Sequence, residues 1–330
     1  MRLIKILLLA FGFYLLYYTV KDVGFQNILE NLRPLGWQIL PVLLIYPFIF
    51  AFDTAGWAYA FPRNLPRHVP FKELYGIRIV GEMLNAIVPF SASLGGEPMK
   101  AELLKRRYGI PLAEGYASLL IVHTTLWIAL NLFIIGGILV TLKTMPLTPV
   151  LWNSVLAFLV VLGLLACFLI GGLHLGIFKK AHEFGEFFKW CKHDSEQKKI
   201  KFLELDRDIK KFYTQNRKNF FFSVFWNFLG WFMGTFEVYL IGRAIGLSIG
   251  LTEAWLLEAL MQVLRIVTFF IPSSVGIQEG GIVLIFSQFG FAGGPSLAFA
   301  VIRRVREMIW IGLGLILWSF MKDKSVTPNK

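Results

Sequence analysis

Long apolar runs, several of them close to the roughly 20 residues that carry a helix across a bilayer, constrain this chain more than any other feature. The clearest are Leu3–Val20, Trp37–Phe61, Leu119–Leu142, Val150–Leu175, Phe220–Ile241 and Leu297–Phe320. Backbone N–H and C=O groups surrounded by lipid must pair within the chain, so runs of this length predict helices. A closed barrel would show short alternating strands instead. Composition agrees: of 330 residues 56% are hydrophobic and only 16% are charged, against about 25% charged in a soluble domain. The expected fold is an all-α polytopic membrane protein, a single transmembrane domain over residues 1–330 with about six full spans.

The net charge is +12. Basic chains often meet nucleic acid, but here Lys and Arg gather between the apolar runs, as the positive-inside rule expects. No nucleic-acid partner is therefore expected. The one sizeable polar block, residues 178–219, is dense in basic residues from Lys179 to Lys218 and is assigned to the cytoplasm. Within it Phe202, Leu205, Ile209 and Phe212 recur at helical spacing. They predict an amphipathic surface helix, either docked on anionic headgroups or serving as a solvated connector. The tail with Lys322, Lys324 and Lys330 is also expected inside, and the short connection at 143–149 outside. Arg2 and Lys5 before an apolar stretch imitate a secretory signal, but no small-residue cleavage site follows Val20, so an uncleaved first span is expected. Cys167 and Cys191 form neither a metal-ligand nor a redox spacing.

Two stretches do not fit simple spans. Leu74–Arg107 contains Asn85-Ala-Ile-Val-Pro-Phe-Ser-Ala-Ser-Leu-Gly-Gly-Glu-Pro98, and Leu256–Gly290 contains Phe270-Ile-Pro-Ser-Ser-Val-Gly-Ile-Gln-Glu-Gly-Gly281. Each has an apolar half, a Pro, Ser and Gly break, a Glu, and a second helical half. Such breaks at membrane depth are tolerated only beside protein or a wet cavity, so both predict re-entrant or broken helix pairs. The basic residues on either side of the first, from Arg63 to Lys72 and from Lys100 to Arg107, require it to enter and return on the cytoplasmic side. The second must then open outward. Landmarks recur in order: Pro89, Glu97 and Gly109 match Pro272, Glu279 and Gly290 at separations of 183, 182 and 181 residues. Opposite orientation with matching order predicts an inverted-topology repeat, the first copy at about 37–142 and the second at about 219–320.

Charges inside spans are costly, and are usually functional or paired. The acids are Glu82, Glu97, Glu237, Glu258, Glu279 and Glu307; the bases are Arg78, Arg265, Arg303, Arg304 and Arg306. These either knit the bundle together or bind a lipid phosphate or relay a proton. Pro98 suits the first turn of a helix, so a helix over 98–108 should start beside Gly95, Gly96 and Glu97. Its free N–H groups would attract an anion, and Gly276–Gly281 would do the same in the second half. His123 and Asp53 are read first as packed or paired residues that could line the cavity. No nucleotide-binding loop, metal-ligand cluster or nucleophile motif is present, so neither a cofactor nor a catalytic residue is expected.

Gly95-Gly-Glu-Pro-Met-Lys-Ala-Glu-Leu-Leu-Lys-Arg-Arg-Tyr-Gly109 resembles the first signature of the flippase-like membrane family, also called the lysylphosphatidylglycerol synthase transmembrane region. Pro272-Ser-Ser-Val-Gly-Ile-Gln-Glu-Gly-Gly281, with Phe289-Gly290 and Arg303 or Arg304, resembles its second. The resemblance runs from about Leu3 to Phe320. It implies lipid translocation or lipid handling, with hopanoid or other isoprenoid lipids among the cargoes found in the family. The soluble aminoacyl-transferase domain of its bifunctional members is not in this sequence, so lysyl transfer is not expected. Where the family often has a Glu-Arg pair, this chain reads Val122-His-Thr-Thr-Leu-Trp127.

The expectation is therefore a lipid transporter or flippase in the inner membrane of a prokaryote, and not an enzyme, acting on an amphiphile with an anionic head. Glu97, Lys100, Gln278, Glu279, Arg265, Arg303 and Arg304 are its candidate substrate-binding residues. Glu97 and Glu279 would shape the two tips, and the arginines would neutralise the head or pair with those glutamates. The rival readings are an integral membrane enzyme of lipid or glycolipid synthesis, and a scaffold whose partners are lipid-synthesis proteins.

Overall fold

The computed structural model describes residues 33–66, 69–87, 95–144, 207–267, 277–291 and 294–321, and Gln26, Trp152, Asn153 and Gly163 besides. The expected spans Leu3–Val20 and Val150–Leu175, the Pro-Ser tips of both broken segments, most of the basic block and the C-terminal tail lie outside the described residues.

After a short 3-10 turn at Arg33–Gln38 the described helices are α1 (Ile39–Tyr59), α2 (Phe71–Ile87), α3 (Glu97–Tyr108), α4 (Leu112–Thr144), α5 (Arg217–Ala244), α6 (Leu251–Val267), α7 (Ile277–Ser287) and α8 (Gly294–Phe320). No strand occurs among the described residues. Three helical stretches, Gly36–Tyr59, Leu112–Val140 and Arg217–Ala244, are long and apolar enough to cross a membrane. α8 has 27 residues, about 40 Å of helix, but its four central charges keep it out of that apolar class. Side chains such as Leu44, Phe48, Leu139, Phe225 and Leu313 stand exposed on the outer faces, where lipid rather than water suits them.

The helices α2 and α3 form a tight antiparallel pair. At its open end Arg107 of α3 reaches Glu73 of α2 at 2.7 Å. At its closed end Asn85 Oδ1 accepts from the Gly96 N–H at 2.7 Å. Sequence sets both ends of α3. Pro98 stands in its first turn, Lys105, Arg106 and Arg107 fill its last turn, and Gly109 closes it at φ 68 with its N–H on the Lys105 carbonyl. The basic last turn offsets the partial negative charge of the helix C-terminus. α6 and α7 pair in the same sense, Leu264 lying against Gly281, and Gly290 follows α7 at φ 77.

The two pairs open at opposite ends of α1. The end of α1, with Trp57, Ala60 and Phe61, shares one core with Val69 and Leu74 before and in α2, Leu104 of α3, Ile110, and Trp318 near the end of α8. The beginning of α1, with Ile39 and Val42, shares another with Leu247, Ile249 and Ala254 at the start of α6 and Phe286 and Phe291 at the end of α7. It follows that α1 and α8 run one way and α4 and α5 the other. α5 crosses α1 where Gly56 faces Asn227 and Gly230 faces Asp53, and one turn on, Gly234 faces Glu258 of α6. Glycines four residues apart let helix backbones approach closely.

Helix over 207–215 is present in the basic block, and the described part of its apolar face turns into the protein. Ile209 and Phe212 are buried against the core formed by α1, α3 and α4. Arg63–Asp208 at 2.8 Å and Asn219–Asn64 at 2.6 Å tie the segment to the loop after α1. The protein itself covers the described part of that stripe, while Phe202 and Leu205 lie outside the described residues.

Candidate functional site

Two charged clusters sit inside the helix bundle. The first is built on α2 and α3. Lys100, with no exposed surface, extends across Gly81 and donates to Glu97 at 2.7 Å and to Glu82 at 2.9 Å. Arg78 reaches Asp53 of α1 at 3.2 Å and Glu82 at 3.4 Å. His123 of α4 approaches Glu97 at 3.3 Å. Glycine makes this crossing possible: a Cβ on Gly96 would run into the Gly81 carbonyl, and one on Gly81 into the Lys100 stem. Backbone cannot yield as a side-chain tip can, and overpacking costs about 1–3 kcal/mol or more. Gly96→Ala is therefore expected to lower thermal stability in detergent by at least that much, whereas Gly280→Ala, which meets nothing within 4 Å, is not.

The second cluster joins α5, α6 and α8. Arg303 contacts Glu258 at 3.1 Å and Glu237 at 3.4 Å, and Arg306 reaches the other oxygen of Glu237 at 3.0 Å. Arg304 pairs with Glu307 at 3.1 Å, and Gln262 donates to Glu258. The Arg306 guanidinium lies 4.0 Å from the centroid of the Tyr46 ring, a cation–π contact. A cleft of about 40 Å³ is lined by Gln262, Arg265, Arg303, Arg304, Arg306 and Glu307. It has room for a few waters.

Between the clusters lies an aromatic layer: Trp310 stacks on Tyr46 and meets Phe50 edge-on. From Tyr46 to Asp53 is about 10 Å along α1, which sets the depth between the two charged levels.

Several expected site residues do come together, but not in the expected groups. Glu97 and Lys100 belong to the first cluster, and Arg265, Arg303 and Arg304 surround the cleft of the second. The side chains of Gln278 and Glu279 lie outside the described residues. Arg303 and Arg304 do not pair with Glu97. Among the described residues Arg303 meets Glu237 of α5 and Glu258 of α6, which those helices turn toward α8 at the same depth, and Arg304 meets Glu307 of α8 itself. At the start of α3 part of the positive helix end is answered within the protein. Asn85 takes the Gly96 N–H, and Glu97 supplies the negative charge. The sequence reading left Asp53, Arg78, Glu82, His123, Glu237, Glu258 and Arg306 out of the site, though each is a polar or charged residue in a helix and that signal was available. Over residues 2–314 the chain matches the family described as lysylphosphatidylglycerol synthase TM region. No curated protein and no solved structure matches it.

Proposed function

The chain belongs to the lysylphosphatidylglycerol synthase TM region family, and from that premise we propose that it carries the head group of an anionic lipid across the bilayer. Family and apolar helices together make it an integral membrane protein, and the family places it with membrane proteins of lipid metabolism or transport. The observation that carries the finer reading is the arginine cleft halfway along α8. Arg303, Arg304 and Arg306 with Arg265 bring four guanidiniums to one cleft, where an entering phosphate would compete with the carboxylates Glu237, Glu258 and Glu307 that hold three of them. Guanidinium matches phosphate with two parallel charge-assisted bonds. The family resemblance favours an isoprenoid or hopanoid cargo.

Helix order supports a transport cycle. A long helix, a 17-residue helix, a shorter helix closed by a left-handed glycine, and another long helix occur twice. The pairs α2–α3 and α6–α7 open at opposite ends of α1. We read this as an inverted-topology repeat of two re-entrant pairs, the architecture that lets a central site face each side in turn. The Arg63 loop is assigned to the cytoplasm of a prokaryotic inner membrane. With Cys167 and Cys191 replaced by Ser, Asn64→Cys should resist an impermeant maleimide in intact cells while Gln288→Cys reacts. The opposite pattern reverses the orientation.

Translocation is measured with purified protein in vesicles containing fluorescent phosphatidylglycerol or a fluorescent polyprenyl phosphate, the outer leaflet being quenched with dithionite. The expected result is faster quenching of one anionic probe than in protein-free vesicles, slowed at least about tenfold by Arg304→Gln. Rates equal to protein-free vesicles for both probes would remove the flippase reading and leave an enzyme or scaffold of lipid synthesis.

A further inference from the structure

The first charged cluster has no part in the anionic-head reading, and its charges do not balance. Three carboxylates, Asp53, Glu82 and Glu97, face two permanent cations, Arg78 and Lys100. The sixth member is His123, whose Nε2 lies 3.3 Å from Glu97 Oε1. Glu97 is buried, and its other oxygen, Oε2, has no hydrogen-bond partner among the described residues. An uncompensated charge in a low-dielectric interior is expensive, whereas a balanced and hydrogen-bonded set is tolerated. Of the six groups His123 is the imidazole, the side-chain type best suited to carry a proton. Its Nε2 is buried against Glu97, but the side chain as a whole keeps 28% of its surface, so a proton reaches the ring from the Nδ1 side while Glu97 stays enclosed.

We propose that His123, held against Glu97, is the site at which this protein binds a proton that is coupled to lipid movement. The inference rests on the transport reading and adds its energy source. A neutral imidazole facing a carboxylate carries its hydrogen on the facing nitrogen, Nε2. A proton from water adds to the Nδ1 lone pair, the ring that faces Glu97 becomes a cation, and the cluster goes from one net negative charge to none. Release breaks the Nδ1–H bond and returns the proton to water. The groups that could compete have other partners. On α1, Asp53 is held by Arg78, and on α2, Glu82 is held by Arg78 and Lys100. From α3 come Glu97 and Lys100 themselves. The polar groups that α5 turns toward α4 are the neutral Ser223 and Asn227, both bonded to Thr125. From α6, Glu258 is held by Arg303. Protonation therefore turns the contact between α4 and α3 into an ion pair, and deprotonation removes that attraction. Because α3 is half of the re-entrant pair, this contact couples proton occupancy to the position of the pair.

The test uses the full chain in vesicles of phosphatidylethanolamine and phosphatidylglycerol with the fluorescent phosphatidylglycerol or polyprenyl phosphate probe. Imposing a pH gradient should change the quenching rate at least about fivefold, and His123→Gln, which keeps a polar group but cannot take the proton, should abolish the response. Arg304→Gln should slow the probe yet keep what remains responsive to the gradient. Translocation by the unmodified chain with no response to the gradient would overturn the proton site and leave the transport reading intact. A second measurement does not depend on any lipid: the pH profile of the His123 imidazole nitrogen resonance, identified by its absence in His123→Gln. That profile should move when Glu97 becomes Gln and stay in place when Glu307 becomes Gln. Identical profiles with and without Glu97 would sink the proposal even if no probe were transported.

Discussion

Lys100→Met is expected to destabilise the protein by about 3–5 kcal/mol, the range for removing one partner from a buried ion pair. Lys100 is fully enclosed and joins Glu82 of α2 to Glu97 of α3. Methionine nearly reproduces the stem over Gly81, so lost packing contributes little and the measured cost reports the charge. Without the ammonium, the Arg78 guanidinium is the remaining permanent cation against three carboxylates. Thermal unfolding in detergent should show the loss, and Glu97→Gln added to Lys100→Met should recover a good part of it, because the enclosed carboxylate is then neutral. An unchanged unfolding temperature in Lys100→Met would mean that water reaches this cluster and screens it.

The second large effect is expected at Arg303. Its guanidinium bridges Glu237 of α5 and Glu258 of α6, both almost completely buried. Arg303→Gln leaves Glu258 without a cation and Glu237 with Arg306 alone among the described ion pairs, with a cost again of about 3–5 kcal/mol, and should lower anionic-lipid translocation at least about tenfold, the effect of losing roughly 1.4 kcal/mol at the rate-limiting barrier. Stability and transport can be separated. Glu258→Gln combined with Arg303→Gln removes one charge of each sign and should restore much of the stability. If Arg303 only knits α5, α6 and α8 together, translocation returns with it; if the guanidinium receives the lipid phosphate, translocation stays low. Arg303→Lys sharpens the comparison. An ammonium keeps the charge but cannot hold two acids with a planar fork, so it should restore more stability than transport.

The sequence by itself determined the class of the protein and the limits of several elements. Lipid leaves backbone groups no partner outside the chain, and so the runs at Trp37–Phe61, Leu119–Leu142 and Phe220–Ile241 appear as α1, α4 and α5. The start of α3 at Glu97-Pro98 and its end at Gly109 were equally legible, because capping depends on residues adjacent in the chain. The family followed from two local signatures and is matched over residues 2–314. One further signal could have been read and was not: Gly230-Trp-Phe-Met-Gly234 has the small-residue spacing of a close helix crossing, and α5 meets Asp53 and Glu258 there. Pairing was a different matter. The sequence showed that Glu82, Glu97, Glu237, Glu258 and Glu307 had to find partners, but not that Lys100 would serve two of them or that Arg303 would reach α5 and α6 rather than the tips. Nor did it show that the protein's own core would cover Ile209 and Phe212. Helical periodicity fixes which face of its own helix a charge occupies. Its partner depends on the depth and rotation at which neighbouring helices dock, and those are set by crossings such as Gly56 on Asn227 and Gly96 on Gly81, between residues far apart in the chain. Only the tertiary structure decides them.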